Sequence, residues 1–324
     1  DGSLSIKSCV KADVSQMGDV VLPGKLLTEI VRKLPEGTVS FSMNDKMVVT
    51  IRCQQSRSTI TGASPDEFPQ MKDLYGTHAL HFPQKKLRDM ISKVTFAIAL
   101  QESRQALTGC LMEVTADELR LVGLDGFRLA VRREKLETIE GGAFTFVAPG
   151  SALNEVKGIC GDTEDLARVS MGKRHILFEV GDTELICRRL EGEFLDYKNA
   201  IPRKNPITVI ADTKSLIGSI DRVSVVISEK LKSPVRCLFG HDKVTLSAKT
   251  GNGEAKDVCR IAGDGTGLEI GFNNRYLMEA LRYAPADTVR IELNTGVSPA
   301  IIVPVDGEEN FLYMVLPVRL KSSD

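Results

Sequence analysis

The chain has 324 residues, of which 42% are hydrophobic and 26% charged, with a formal net charge of −1. That length and apolar content can bury the cores of two or three domains, and no stretch approaches the roughly 20 continuous apolar residues that a membrane-spanning helix needs. The opening DGSLSIKSC lacks the basic and apolar regions of a secretory signal, which gives the expectation of a cytoplasmic protein with no membrane partner.

Taken in chain order, the first helix is predicted at 23–33, opening on Pro23-Gly24 and spacing Leu26, Ile30 and Leu34 along one face. The alternating runs TVSFSMN, KMVVTIRC and STITGA follow, with Asn44-Asp45 as a hairpin turn. A second helix is predicted at 83–93, then CLMEVTA, ELRLVGL and RLAVRRE, the first two joined at Ala116-Asp117. A third helix at 149–158 leads into HILFEV and ELICRRL. A fourth at 213–222 precedes VRCLFG and KVTLSA, with a turn at His241-Asp242, and a fifth at 273–282 precedes TVRIELN and AIIVPV. The pattern is α+β, with large antiparallel sheets and few helices.

The chain repeats itself. LPGKLLTEIVRKLP (22–35) recurs as APGSALNEVKGIC (148–160) and FNNRYLMEALRYAP (272–285), and Phe68 and Phe194 hold equivalent places in DEFPQM and GEFLDY. A second helix type recurs as KKLRDMISKV (85–94) and KSLIGSIDRV (214–223). The implied domains are 1–78, 79–203 and 204–324, the last two each with two helices. Aligning Asp1-Gly2 with Asp125-Gly126 gives the expectation that the first unit lacks roughly 46 residues matching 79–124 and that the natural protein carries them upstream.

Lys and Arg minus Asp and Glu over the five helices come to +7, leaving −8 for the rest of the chain. Lys and Arg are good helix formers on solvated faces, which explains this blandly. The sharper reading is one positive surface made by the helices, attractive to phosphates without sequence preference. With 5% aromatic residues and no Trp, base stacking is not the main mode. The seven cysteines are odd in number, form no CxxC pair and mostly lie in apolar strand-like runs, so buried free thiols are expected. His78 and His81 sit three apart on a strand and face opposite sides, and no metal or other cofactor is expected. No Ser-His-Asp, HExxH or Walker pattern appears, and GDGTG (263–267) precedes a strand, as a turn would. An enzyme is therefore not expected.

Three repeats of this kind, with GLDGFRLAVRRE, LEGEFLDYKNAIP and the terminal FLYMVLPVRL in their places, closely resemble the β subunits of bacterial DNA polymerase III, the sliding clamps. The resemblance implies the DNA-clamp fold, with antiparallel sheets outside and two helices per domain inside. It also implies a head-to-tail homodimer around double-stranded DNA, held without sequence recognition, acting as the processivity factor of the replicative polymerase. The implied protein partners are the polymerase III α subunit, the clamp loader and other proteins carrying a short QLxLF-like clamp-binding motif.

Matching residue by residue, the resemblance builds a peptide-binding groove from three parts of the chain. These are Leu107 with Leu124, Gly126, Phe127, Arg128 and Leu129; then Leu195, Asn199 and Ala200; then Pro299, Met314, Val315, Leu316, Pro317, Val318 and Arg319. Leu124 replaces a frequent small hydroxyl residue, Phe127 a frequent His and Leu195 a frequent Pro, so peptide preference is open. On the DNA side the resemblance suggests Gln101 and Arg104; helix location adds Lys25, Lys33, Lys85, Lys86, Arg88, Lys214, Arg222 and Arg275. For the subunit joint it suggests strand 57–62, with Arg57 and Ile60, against Val225 and Val226 of a second copy. A peptide-binding scaffold with no DNA role is the alternative that the apolar groove would equally serve.

Overall fold

The computed structural model describes residues 3–69, 76, 78–101, 104–136, 138–227, 233–307 and 310–320. Asp1-Gly2, used above to align the first repeat, lies outside them. Two compact units emerge, a small one formed essentially by residues 9–73 and a large one formed by residues 3–8 with 74–324.

Strand β1 (Leu4–Ser8) belongs to the large unit. The small unit holds helix α1 (Gly24–Arg32) and the antiparallel sheet β2-β3-β4, made of β2 (Val39–Met43), β3 (Val48–Cys53) and β4 (Ser56–Thr61). Its buried cluster is Val49, Ile51 and Ile60, backed by half-buried side chains such as Leu27, Ile30 and Leu34. No residue of α1 is fully buried, and Leu26, Val39, Phe41 and Met43 are exposed.

In the large unit, β5 (His78–Pro83) leads directly into α2 (Gln84–Ser92), followed by β6 (Gly109–Val114), β7 (Glu118–Leu124), β8 (Arg128–Lys135), β9 (Ile139–Glu140) and β10 (Phe144–Pro149). Next come α3 (Gly150–Ile159), β11 (Leu166–Met171), β12 (His175–Val180), β13 (Thr183–Arg188) and the short α4 (Tyr197–Ala200). The last repeat runs β14 (Ile207–Asp212), α5 (Thr213–Ser224), β15 (Val235–Phe239), β16 (His241–Thr250), β17 (Gly253–Asp264), β18 (Glu269–Phe272), α6 (Asn274–Arg282), β19 (Thr288–Leu293), β20 (Ala300–Pro304) and β21 (Phe311–Val315).

Each of the five predicted helices is present within two residues of its expected bounds. The sixth, α4, is too short to show a helical period. Helix starts follow local chemistry. Pro23, Pro83 and Pro149 stand at the N-caps of α1, α2 and α3, where a missing N–H costs nothing, and Asp212 and Asn273 cap α5 and α6 with their side chains.

The strands form a six-stranded sheet, β1-β13-β12-β11-β5-β9, and a twelve-stranded sheet, β10-β6-β7-β8-β21-β20-β19-β14-β17-β16-β15-β18. Every ladder is antiparallel, as the hairpin turns require, and the helices pack in pairs, α2 with α3 and α5 with α6. The large sheet is continuous because β8 of one repeat pairs with β21 of the next, Leu129 opposite Met314 and Arg128 opposite Val315. Six cysteines are buried and free, but Cys9 is exposed, which corrects the expectation for that residue.

Candidate functional site

Period-two alternation splits the β8–β21 seam into two chemically different faces. Towards the helices point Arg128 and Val315, with Val315 completely buried in the main core. Towards the other face point Leu129 and Met314, which join Leu107, Leu124, Leu111, Val122, Val131 and Ile301 in a second apolar cluster. Four predicted groove residues, Leu107, Leu124, Leu129 and Met314, are thereby brought together from separate segments. Val315 is corrected to a core residue on the opposite face.

The rim of this cluster is open. Phe127 is 60% exposed and Leu195 37%, Gly126, Asn199, Ala200 and Arg319 are exposed, and Pro299, Leu316 and Pro317 are half-buried. Gly126 has φ +84°, a backbone state that L side chains rarely adopt. It closes a turn in which Asp125 Oδ1 accepts from the N–H groups of Phe127 (2.9 Å) and Arg128 (3.0 Å). That turn holds Phe127 outward, its ring 6.0 Å from Tyr276 on α6, while its carbonyl accepts from Leu316 N at 2.9 Å. Val318 pairs with Gly271 at the end of β18, its N–H donating at 2.8 Å.

Arg128 is buried beneath the rim. Its guanidinium donates to Asp125 Oδ2 (3.0 Å) and to Glu279 on α6, and lies 4.5 Å from the Tyr276 ring centre and 5.4 Å from that of Phe96. Four residues on, Arg132 donates to the Asn310 carbonyl (3.1 Å), Asp89 (3.1 Å) and Glu134 (3.0 Å). Phe96 stacks on Tyr283 and meets the Tyr313 ring edge-on.

The wall carrying Leu195, Asn199 and Ala200 rests on Tyr197, which sequence reasoning missed together with Glu113 and Arg120. The Tyr197 ring enters the apolar cluster and its hydroxyl donates to Glu113 at 2.6 Å. A signal existed in the charged residue inside the apolar run CLMEV.

Of the DNA-facing candidates, all ten are exposed. Four are ion-paired: Lys85 with Asp162, Lys214 with Asp287, Arg222 with Asp257 and Arg275 with Glu279. Lys85, Lys86 and Arg88 share α2, around the buried Leu87. At the expected joint, Arg57 is exposed on β4, an edge strand, but Ile60 is 2% exposed and packs inside the small unit, so only its backbone faces an edge. Val225 is 84% exposed at the end of α5, and the Val226 carbonyl accepts from Thr250 at 3.1 Å. Among the described residues no cluster of potential metal ligands occurs and no helix is long and apolar enough to cross a membrane.

The chain is similar along nearly its whole length to proteins of one kind. The β sliding clamp of Synechocystis sp. is 33% identical over 347 aligned residues, covering 99% of this chain and 87% of the relative. That of Staphylococcus aureus is 30% identical over 309, covering 95% and 81%. The crystal structure of the DNA polymerase III β subunit from Thermotoga maritima superposes with a TM-score of 0.91 at 28% identity, covering 99% of this chain and 87% of that one. Family models match residues 1–72 (N-terminal domain), 81–196 (central domain) and 198–319 (C-terminal domain). All three domains are thus represented in the chain. The chain belongs to the DNA polymerase III β subunit family, the sliding clamps, which are non-catalytic accessory factors.

Proposed function

We propose that this chain is a processivity factor. Two copies close head to tail around duplex DNA, slide along it, and tether the polymerase, the clamp loader and repair proteins through the apolar groove at the β8–β21 seam. The observation that supports the reading is the convergence of Leu107, Leu124, Leu129 and Met314 in one apolar cluster, with Phe127 and Leu195 exposed on the segments beside it. One buried Leu or Phe anchor is worth about 1.5 to 3 kcal/mol, so two anchors with backbone hydrogen bonds reach micromolar affinity.

The helix charge of +7 against −8 elsewhere supports the DNA side of the proposal. A topological ring needs no strong grip, and phosphate contacts that carry no sequence information leave it free to slide. The domains are taken as 1–78, 79–203 and 204–324, and the joint as β4 of one copy alongside Val225 and Val226 of the other, extending a sheet by edge pairing.

Loading the protein with its clamp loader onto nicked circular DNA and then linearising the circle tests this. The expected result is retention on the circle and loss within minutes once ends exist. A peptide-binding scaffold would show no retention in the first place.

A further inference from the structure

Between Leu195 and Ala200 only Tyr197 is buried, at 5% exposure. Everything else in this stretch faces solvent, and a four-residue helix has too few internal hydrogen bonds to hold itself in place. The position of the groove wall therefore depends on what holds Tyr197.

Its ring is one member of the apolar cluster. Its hydroxyl meets a carboxylate that the sheet supplies. Glu113 on β6 alternates with the buried Met112 and Val114, so it shares the face of Leu111, and its cross-strand neighbour is Arg120 on β7. Glu113 accepts from the Tyr197 hydroxyl (2.6 Å), from Arg120 (3.2 Å) and from Lys198 Nζ (3.1 Å), while Arg120 also donates to the Tyr197 hydroxyl (3.2 Å) and to Glu118 (2.5 Å). The acceptor is charged and largely out of water, so its hydrogen bonds are stronger and more directional than those between neutral groups. A cavity of about 470 Å³ is bounded by the loop at Phe194, Leu195 and Tyr197 and by the sheet at Leu111, Glu113 and Val147, leaving the loop room to shift if the knot loosens.

We propose that Glu113 is a positioning residue for the peptide groove: acting through the Tyr197 hydroxyl, it sets where Leu195 on one side and Asn199 and Ala200 on the other meet the bound peptide. This rests on the groove reading. A peptide that enters a preset groove is spared the entropic cost of ordering its wall, and loosening that wall weakens binding without removing any contact.

The test uses the full chain and a fluorescein-labelled Gln-Leu-Ala-Leu-Phe peptide, with amide exchange of residues 195–200 read in parallel. Leu195→Ala should weaken the peptide severely. Glu113→Gln, Tyr197→Phe and the double variant should each weaken it by a similar factor of about five to ten, because all three break one linkage. Exchange should quicken at 195–200 and stay unchanged in β6, β7 and β8. If Glu113→Gln lowers the melting temperature, Tyr197→Phe, which keeps the ring, decides the matter. Normal binding by both variants with Leu195→Ala defective overturns the positioning role and leaves the groove standing. Normal binding by Leu195→Ala removes the groove, and this inference with it.

Discussion

Tyr197 and Glu113 are pushed apart by the same surroundings. Burial, then the hydrogen bond to Glu113, raises the Tyr197 hydroxyl to about 12. For Glu113 burial acts upward, but hydrogen bonds from Tyr197 and Lys198 and the charges of Lys198 and Arg120 outweigh it and hold the carboxyl below its ordinary value. A depressed carboxylate contributes stability that is present above its unfolded value, about 4.3, and is lost as pH falls through the folded one. A raised tyrosine contributes stability that is present below about 10 and is lost as pH climbs through the folded value. Arg120, Glu118 and Lys198 are the charged groups that face the pair. The Tyr197 ring signals in NMR should therefore stay constant from about pH 4.3 to 10 and change only beyond those limits. In Glu113→Gln the acid limb should vanish; its persistence would assign that limb to another carboxylate. At this scale the sequence was legible where chemistry is local, as in the turn at Asn44-Asp45, where Asn44 Oδ1 accepts from the N–H groups of Lys46 and Val48. It was not legible for Met314 and Val315. They are neighbours of like chemistry, and only the register of β21 against β8 sends one to the second apolar cluster and the other to the main core.

Among elements, the β8–β21 ladder does the joining, and the pair of buried arginines behind it fixes the approach of α6 and α2. Arg128, Asp125 and Glu279 have side-chain exposures of 8%, 12% and 20%, so deleting the cation strands two carboxylates in poor solvent. Arg128→Ala should cost about 3 to 5 kcal/mol in urea unfolding, and Arg128→Met with Asp125→Asn and Glu279→Leu should recover most of it, because burying no charge avoids the desolvation penalty. Equal loss in both variants would show that packing on Tyr276 and Phe96, not charge pairing, holds the seam. The helices themselves were readable from spacing and caps. The seam was not, because residues 128 and 279 are remote in sequence and nothing in either local pattern names the other.

For the whole molecule, the two compact units differ sharply in how much apolar surface they bury. The small unit centres on Val49, Ile51 and Ile60, whereas the large unit buries a continuous core through both of its repeats. At about 25 cal/mol per Å² of apolar surface buried, a core that small barely offsets the entropy of ordering its chain. Amides of β2, β3 and β4 should exchange well before those of β11, β12 and β20 in a native-state exchange series, and simultaneous exchange would mean that the units unfold as one.

By itself the sequence determined the repeat, the α+β class, the helix positions and the concentration of positive charge on helices, since each follows from composition and short-range period. Tertiary structure alone decided which apolar residues join the main core and which a second apolar cluster, that Ile60 turns inward, and that Tyr197 hangs from Glu113. Those outcomes depend on strand register and on contacts between residues far apart in the chain, and a change of one residue in register reverses every face.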